Sequence, residues 1–162
     1  MIANTDRGDL DVDAMKKDGK SITEIDSHAN MVVFGKNCYV IGLTGETMDV
    51  CPFTTEYKSF NKVPLVDAAL MCKFEYTNKE CLIIVRNALY VPSKDINLIR
   101  PFIVREAGVV INDKPKIHVC DPSLDDHAII FVKDNIIIPL KLNGIFSYFE
   151  MTTLSPEQVR EC

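Results

Sequence analysis

The sequence predicts an all-β protein that forms a barrel or a sandwich. Short runs of apolar and β-branched residues recur along the chain, as at residues 31–34 and 136–140. Gly, Pro, Asn and Asp residues, which favour turns, separate these runs at nearly regular intervals. Many short strands with turn signals between them are typical of closed or stacked β-sheets.

Each apolar run is predicted to be one strand, and the turn residues set its limits. Thr44-Gly45-Glu46 predicts a turn, and Thr77-Asn78-Lys79 predicts the loop of a long hairpin. Pro52 and Pro92 end two strands, because proline cannot donate a ladder hydrogen bond. In chain order the predicted strands are 22–25, 31–34, 39–43, 47–51, 63–76, 80–91, 109–111, 117–120, 128–132 and 136–140, with 145–149 as a core or dimer strand.

Two short helices are predicted among these strands. The first lies between Pro101 and Gly108, since proline is favoured at the start of a helix and glycine after its end. Phe102 and Ile103 are expected to form its buried face. The second begins at Ser155-Pro156-Glu157-Gln158, where a hydroxyl, a proline and a glutamine have the spacing of a capping box.

The chain length of 162 residues suits one domain with its own core. Apolar residues make up 47% and charged residues 25% of the chain, which is ordinary for a globular protein. Residues 1–20 carry five aspartates and two glycines and are expected to form a flexible acidic leader. Residues 21–150 are assigned to the domain, and residues 151–162 to a tail that starts a connecting helix.

The composition argues against several classes of function. The net charge of −5, without a basic patch, argues against nucleic-acid binding. No apolar run approaches the roughly 20 residues that a membrane span needs, so we expect no membrane association. The six cysteines show no Cys-x-x-Cys pairing and are read as reduced thiols. We expect no metal site and, without a Gly-rich phosphate loop, no organic cofactor.

The segment around Asp26 has the pattern of a catalytic carboxylate. Asp26 follows a predicted strand, and Ser27 and Ala29 come directly after it in the chain. Peptide hydrolysis by an aspartic mechanism places an Asp on a strand-to-turn junction that faces a cleft. A short hydroxyl next to it can bond to backbone, and a small residue limits crowding. By itself this pattern is weak, and an Asp in a turn is the ordinary interpretation.

A second block strengthens the interpretation. Residues 88–92 read Ala-Leu-Tyr-Val-Pro, and Asn97-Leu98-Ile99 precedes the predicted helix and Gly108. Together with Asp26-Ser27-x-Ala29, this order resembles the retropepsin-like aspartic protease domain of copia-type retrotransposon Gag-Pol polyproteins. The resemblance covers roughly residues 22–112, and residues 113–150 extend beyond it. His28 differs from the usual glycine of the family, although some family members also read Asp-Ser-His-Ala.

The resemblance implies a closed acid-protease barrel and an aspartic endopeptidase that processes its own polyprotein. Asp26 would be the catalytic carboxylate, supported by Ser27, His28 and Ala29, while Leu98 and Ile99 would lie under the catalytic loop. A single motif per chain implies a homodimer, with one Asp26 from each subunit activating a water molecule. A flap is expected within residues 49–62. The resemblance further implies a cytoplasmic protein, with virus-like particles as one setting.

Other interpretations of the same residues stay open. The rival function is an inactive remnant of the same fold that acts as a protein-interaction module, which His28 favours. An unrelated β-sandwich binding domain is a third alternative. Asp67, within an apolar segment, is a weaker candidate for a second catalytic carboxylate. Two clusters carry metal-capable atoms but are read as loop residues, namely His118-Val119-Cys120-Asp121 and Asp125-Asp126-His127.

Overall fold

The computed structural model of the protein describes residues 20–51, 59–73 and 80–160. These residues form eleven strands, two short helices and two 3₁₀ turns. The helices are α1 (Pro101–Glu106) and α2 (Pro156–Arg160), and the 3₁₀ turns are Lys116–His118 and Val132–Asp134. The strands are β1 (Lys20–Ile25), β2 (Val33–Phe34), β3 (Tyr39–Val50), β4 (Phe60–Lys73), β5 (Glu80–Tyr90), β6 (Asn97–Ile99), β7 (Val110–Asn112), β8 (Ala128–Phe131), β9 (Ile136–Pro139), β10 (Lys141–Asn143) and β11 (Phe146–Thr152).

Eight strands form one sheet in the order β10-β11-β1-β6-β2-β5-β4-β3. The short strand β6 lies between β1 and β2, although it follows them by many residues in the chain. It runs parallel to β1 and antiparallel to β2, and Leu98 pairs with Glu24 on one side and with Val33 on the other. The chain segment after β5 therefore passes between the two strands that flank Asp26.

Two strands that lie near opposite ends of the sheet order are also paired with each other. A further antiparallel pairing, Thr152 with Met71, joins β11 to β4. The main core draws on many strands of this sheet, and Phe34, Leu70 and Phe149 in it are almost completely buried. Burial of large side chains such as these contributes about 1.5–3 kcal/mol each and is the main stabilising term of the fold.

A smaller sheet in the order β7-β8-β9 covers part of the same core. Its residues Ile111, Ile129 and Ile138 belong to the core cluster that contains Phe34 and Phe149. This sheet, together with β10 and β11, accounts for much of residues 113–150, which extend beyond the resemblance described above. The later part of the chain thus completes the core and does not form a separate unit.

The all-β prediction is confirmed at the level of fold class, since strands dominate the described residues. One predicted turn and one predicted strand are wrong. The expected turn at residues 44–46 is instead an irregular stretch inside the continuous strand β3, with Gly45 at φ +85°. The expected strand at 117–120 is replaced by a 3₁₀ turn after Pro115, where Ile117 is 78% exposed and cannot serve as a core residue.

The first predicted helix is present, but its buried face was assigned wrongly. Phe102 and Ile103 are exposed, whereas Pro101 is buried and Val104 packs against the main core. The helix is so short that its buried face is set by its position directly after β6 and not by the periodicity of its own apolar residues. The Arg100 guanidinium lies over the exposed Phe102 ring, 5.2 Å from its centre.

The second helix carries the predicted capping box. The backbone N–H of Ser155 donates to Gln158 Oε1 (3.0 Å), and the Gln158 N–H donates to Ser155 Oγ (3.3 Å). Before it, β11 continues to Thr152, and Leu154 is buried against Ala69 and Met71. The folded unit therefore extends beyond residue 150, where the sequence analysis ended the domain.

Some predictions fall outside the described residues. The expected leader lies outside them except for Lys20, which begins β1. The hairpin loop 77–79 and residues 52–58 of the expected flap also lie outside them. Within the described part of the chain, neither helix has the length and apolar character that crossing a lipid bilayer requires.

Candidate functional site

Asp26 directly follows the last residue of β1. Its side chain is 27% exposed, so the carboxylate is neither buried in the core nor fully in solvent. One oxygen, Oδ1, accepts a hydrogen bond from the backbone N–H of His28 at 2.8 Å. This bond closes a tight turn of the kind that aspartate side chains favour, and it orients the carboxylate.

The turn is attached to β6 through the backbone of Asp26. The Asp26 N–H donates to the carbonyl oxygen of Ile99 at 3.0 Å, which extends the β1–β6 ladder by one bond. Ile25, the residue before Asp26, is the register partner of Ile99, and both isoleucines are buried in the main core. The carboxylate thus sits on a rigid strand pair, while its side chain reaches the surface.

The three residues that follow Asp26 lie in the turn. Ser27 and His28 are exposed and Ala29 is half-buried. Ser27 Oγ is 3.3 Å from His28 Nδ1, and the same nitrogen is 3.7 Å from Asp26 Oδ1. The His28 side chain is 95% exposed. The structure therefore places the predicted site residues together, with the imidazole beside the carboxylate on its solvent side.

Leu98 and Ile99 lie in β6, next to the Asp26 turn. Leu98 is half-buried between β1 and β2, and Ile99 is buried beneath the Asp26 turn. Together with Asp26, Ser27, His28 and Ala29, they form one contiguous group of residues from two distant parts of the sequence.

A buried polar network lies next to this group. Asn97 is completely buried, and its Oδ1 accepts the backbone N–H of Gly35 at 2.9 Å. Its Nδ2 points to Met151 Sδ (3.2 Å) and to Thr23 Oγ1 (3.4 Å), and the Thr23 hydroxyl donates to the same sulfur at 2.8 Å. One side chain thereby links β1, β6, β11 and the end of β2.

Gly35 allows two backbones to approach closely. A Cβ atom at this position would overlap the backbone carbonyl of Lys94, so no larger residue fits without displacing the backbone. On either side, the N–H of Lys36 donates to the Lys94 carbonyl (3.0 Å) and the N–H of Val91 donates to the Phe34 carbonyl (2.8 Å). These contacts fasten the segment before β6 against β2.

The β3–β4 hairpin carries the segment in which a flap was expected. Val50 of β3 pairs with Phe60 of β4, so residues 51–59 connect the two strands at its end. Toward the connection, Asp49 Oδ1 accepts the backbone N–H of Lys62 at 2.8 Å. A long hairpin of this kind can carry a covering loop, although residues 52–58 lie outside the described part of the chain.

Asp67, the weaker candidate for a second carboxylate, has a different environment. It lies inside β4, and its Oδ1 accepts the N–H of Asn87 at 3.1 Å. Asn87 has a positive φ of 56° and sits where the β4–β5 register shifts. This side chain therefore stabilises an irregularity in β5, which is a structural role.

The two clusters with metal-capable side chains, around His118 and around Asp125, were expected to be loop residues. Within the second cluster, Asp126 is hydrogen-bonded in a surface turn, whereas His127 is buried. Among the described residues, no group of three or more His, Cys, Asp or Glu side chains is arranged to hold a metal ion. Asp126 binds the N–H and hydroxyl of Ser123, and these bonds hold the pKa of its carboxyl below the usual value. His127, by contrast, is buried, and its Nε2 lies 2.8 Å from Ser147 Oγ.

Sequence reasoning did not identify the supporting network. Asn97 was noted only as part of a motif, and Thr23, Gly35 and Met151 received no role in the site. An asparagine inside an apolar strand is a signal, because a buried amide must find partners. Its partners come from three other strands, and neither their identity nor their distance is visible in the sequence.

Comparison with known proteins does not assign the chain to a group. Neither protein-family models, nor curated proteins, nor solved structures gave a match.

Proposed function

We propose that the protein is a retropepsin-like aspartic endopeptidase that acts as a homodimer on its parent polyprotein. The observation that carries the proposal is the position of Asp26, a partly exposed carboxylate at the end of β1. Its backbone is hydrogen-bonded to Ile99 of the Asn97-Leu98-Ile99 segment. The Asp26 turn and the Asn97-Leu98-Ile99 segment are the two motifs on which the resemblance depends.

The strand arrangement supports the proposed fold. β6 passes between β1 and β2, so the chain crosses beneath the turn that carries Asp26. The additional pairing of β11 with β4 supports closure of the sheet into a barrel.

The mechanism requires two carboxylates that share one proton. Two like charges about 3 Å apart cannot both be ionised, so one pKa rises and the other falls. The ionised carboxylate then takes a proton from water, and the protonated one donates a hydrogen bond to the scissile carbonyl. One chain supplies one such turn, and a two-fold axis next to Asp26 would bring its copy opposite. Water is the nucleophile, and the reaction requires no metal or cofactor.

Asp26→Asn provides the direct test. Cleavage of the parent polyprotein at mildly acidic pH should fall by about 10³-fold or more, because an amide cannot act as the general base. Asp125→Asn is the matched control, since Asp125 is an exposed loop carboxylate outside the site. Equal processing by wild type and Asp26→Asn would exclude Asp26 from catalysis.

Subunit mixing tests the shared site. A threefold excess of Asp26→Asn chains leaves about one quarter of wild-type chains paired with each other, so wild-type activity should fall about fourfold. An excess of Asp125→Asn chains, which keep Asp26, should not lower activity. A chain that cleaves while it sediments as a strict monomer would contradict the dimeric mechanism.

The alternative function is a non-catalytic interaction module with the same fold. The observation that favours it is the imidazole of His28, 3.7 Å from the Asp26 carboxylate in the same exposed turn. In a dimer built around Asp26, this side chain would meet the turn of the partner. A dimer that forms in solution and cleaves nothing would support this alternative.

A further inference from the structure

Two cysteines lie opposite each other in the β4–β5 hairpin. Cys72 of β4 and Cys81 of β5 are antiparallel register partners, so their side chains are direct cross-strand neighbours. Opposed residues in antiparallel strands have Cα atoms about 4.5–5.5 Å apart. This range lies within the roughly 4.4–6.8 Å that disulfides span.

We propose that Cys81 is a site of thiol–disulfide exchange with low-molecular-weight disulfides such as oxidised glutathione, and that Cys72 resolves the adduct into a cross-strand disulfide. The proposal does not depend on the proteolytic function.

The two thiols differ in access, which assigns their order of reaction. Cys81 is half-buried near the start of β5, whereas Cys72 is 1% exposed and belongs to the main core. The hydrogen bond from Cys72 lowers the pKa of the Cys81 thiol, and the same bond together with burial raises the pKa of Cys72. The Cys81 thiol therefore loses its proton more readily than the Cys72 thiol, and it is also the less buried of the two.

The chemistry proceeds by two exchanges. The Cys81 thiolate attacks one sulfur of oxidised glutathione, forms a mixed disulfide and releases one glutathione thiolate. The Cys72 thiol then loses its proton to the released thiolate, attacks the Cys81 sulfur and expels the second glutathione as a thiolate. The second glutathione thiolate takes up a proton from solvent, which replaces the proton that Cys81 lost to solvent when it ionised. In total the protein loses two electrons and two protons, and one glutathione disulfide becomes two glutathione thiols.

The surrounding strands are already in register for the product. Met71 pairs with Leu82 and Lys73 pairs with Glu80 on either side of the cysteine pair. The second exchange is thus intramolecular between sulfurs that the sheet holds together, which raises their effective concentration. An isolated thiol has no such second step, and its mixed disulfide accumulates only when the oxidant is in excess.

Tryptic mapping of the full chain after incubation in glutathione redox buffers tests the proposal. Lys62, Lys73, Lys79 and Arg86 place the two cysteines on separate peptides, 63–73 and 80–86, which a disulfide would join. At a glutathione redox potential where less than about a tenth of the exposed Cys120 carries glutathione, more than about half of these two peptides should be disulfide-linked.

Two variants separate the steps. Cys72→Ala should lose the linked peptides and accumulate glutathione on Cys81, while Cys81→Ser should leave Cys72 unmodified in the folded protein. Cys120→Ser is the control and should link 63–73 to 80–86 as the wild type does. Wild-type protein in which Cys120 becomes glutathionylated while Cys72 and Cys81 remain reduced at every poise would overturn the proposal.

Discussion

The backbone amide of Asp26 and the carbonyl of Ile99 are joined by a 3.0 Å hydrogen bond. This bond connects the end of β1 to the end of β6, and thus the acidic turn to the segment that leads into α1. Without this bond the turn would have few contacts to hold it in one conformation, since Ser27 and His28 are exposed. Its attachment to a buried strand pair gives the carboxylate a defined position, which catalysis by a shared proton requires.

Replacement of Asn97 by alanine should destabilise the fold. The change leaves the buried N–H of Gly35 without its acceptor and removes the amide next to Thr23 and Met151. An unsatisfied buried donor and the lost contacts should lower the free energy of unfolding by about 2–4 kcal/mol, measured by urea denaturation. The exposed Asn30→Ala should change it by less than about 0.5 kcal/mol. Equal stability of the two variants would contradict the assigned role of the network.

Gly35→Ala should also destabilise the protein, for a steric reason. The new methyl group would overlap the Lys94 carbonyl, a backbone atom that cannot swing away. We expect a loss of about 1–3 kcal/mol or more, visible as a lower melting temperature. Gly42→Ala is the matched control, because a Cβ there meets nothing within 4 Å. If Gly35→Ala melted with the control, the close approach of the two backbones would be disproved.

The stability of the fold should fall as the pH drops below about 6.5, because of His127. Burial lowers the pKa of this imidazole, and the nearby Lys116 lowers it further, while Asp113 opposes the shift. The unfolded chain then takes up a proton at a pH where the folded chain does not. His127 therefore supports stability above the unfolded pKa of about 6.5, and this support is lost as the pH falls toward the lower folded pKa.

Urea denaturation at about pH 7.5 and about pH 5.5 measures this dependence. His127→Gln, which can retain a hydrogen bond to Ser147, should show a smaller loss of stability between the two pH values than wild type. His118→Gln, a change at an exposed position, should keep the wild-type dependence. An unchanged pH dependence in His127→Gln would assign the acid sensitivity to other groups.

His28→Gly should have only a small effect on cleavage if the protein is a protease. The imidazole is 95% exposed, and exposed ion pairs contribute less than about 1 kcal/mol, which corresponds to less than about fivefold in rate. The measurement is kcat/KM on the parent polyprotein, with His118→Gly as the control. An increase far above fivefold would show that His28 obstructs the site and would favour the interaction module as the role of the natural chain.

The sequence by itself determined the local features of this protein. The alternation of apolar runs and turn residues predicted most of the strands, and Pro101, Gly108 and the Ser155 capping box located the helices. Short-range rules suffice here because propensities, caps and turns depend on neighbouring residues. The short-range rules failed where tertiary packing decides which residues are buried. They predicted a buried Phe102, which is exposed, and a strand around Ile117, which is absent.

Only the tertiary structure decided which distant segments meet. The insertion of β6 between β1 and β2, the burial of Asn97 among its partners and the opposition of Cys72 to Cys81 all join residues that are separated in the chain. Such contacts form only when the strands pair and the core between them excludes water. The sequence indicated that Asp26 is a candidate acid, and the fold alone decided that it stands at the surface on a buried strand pair.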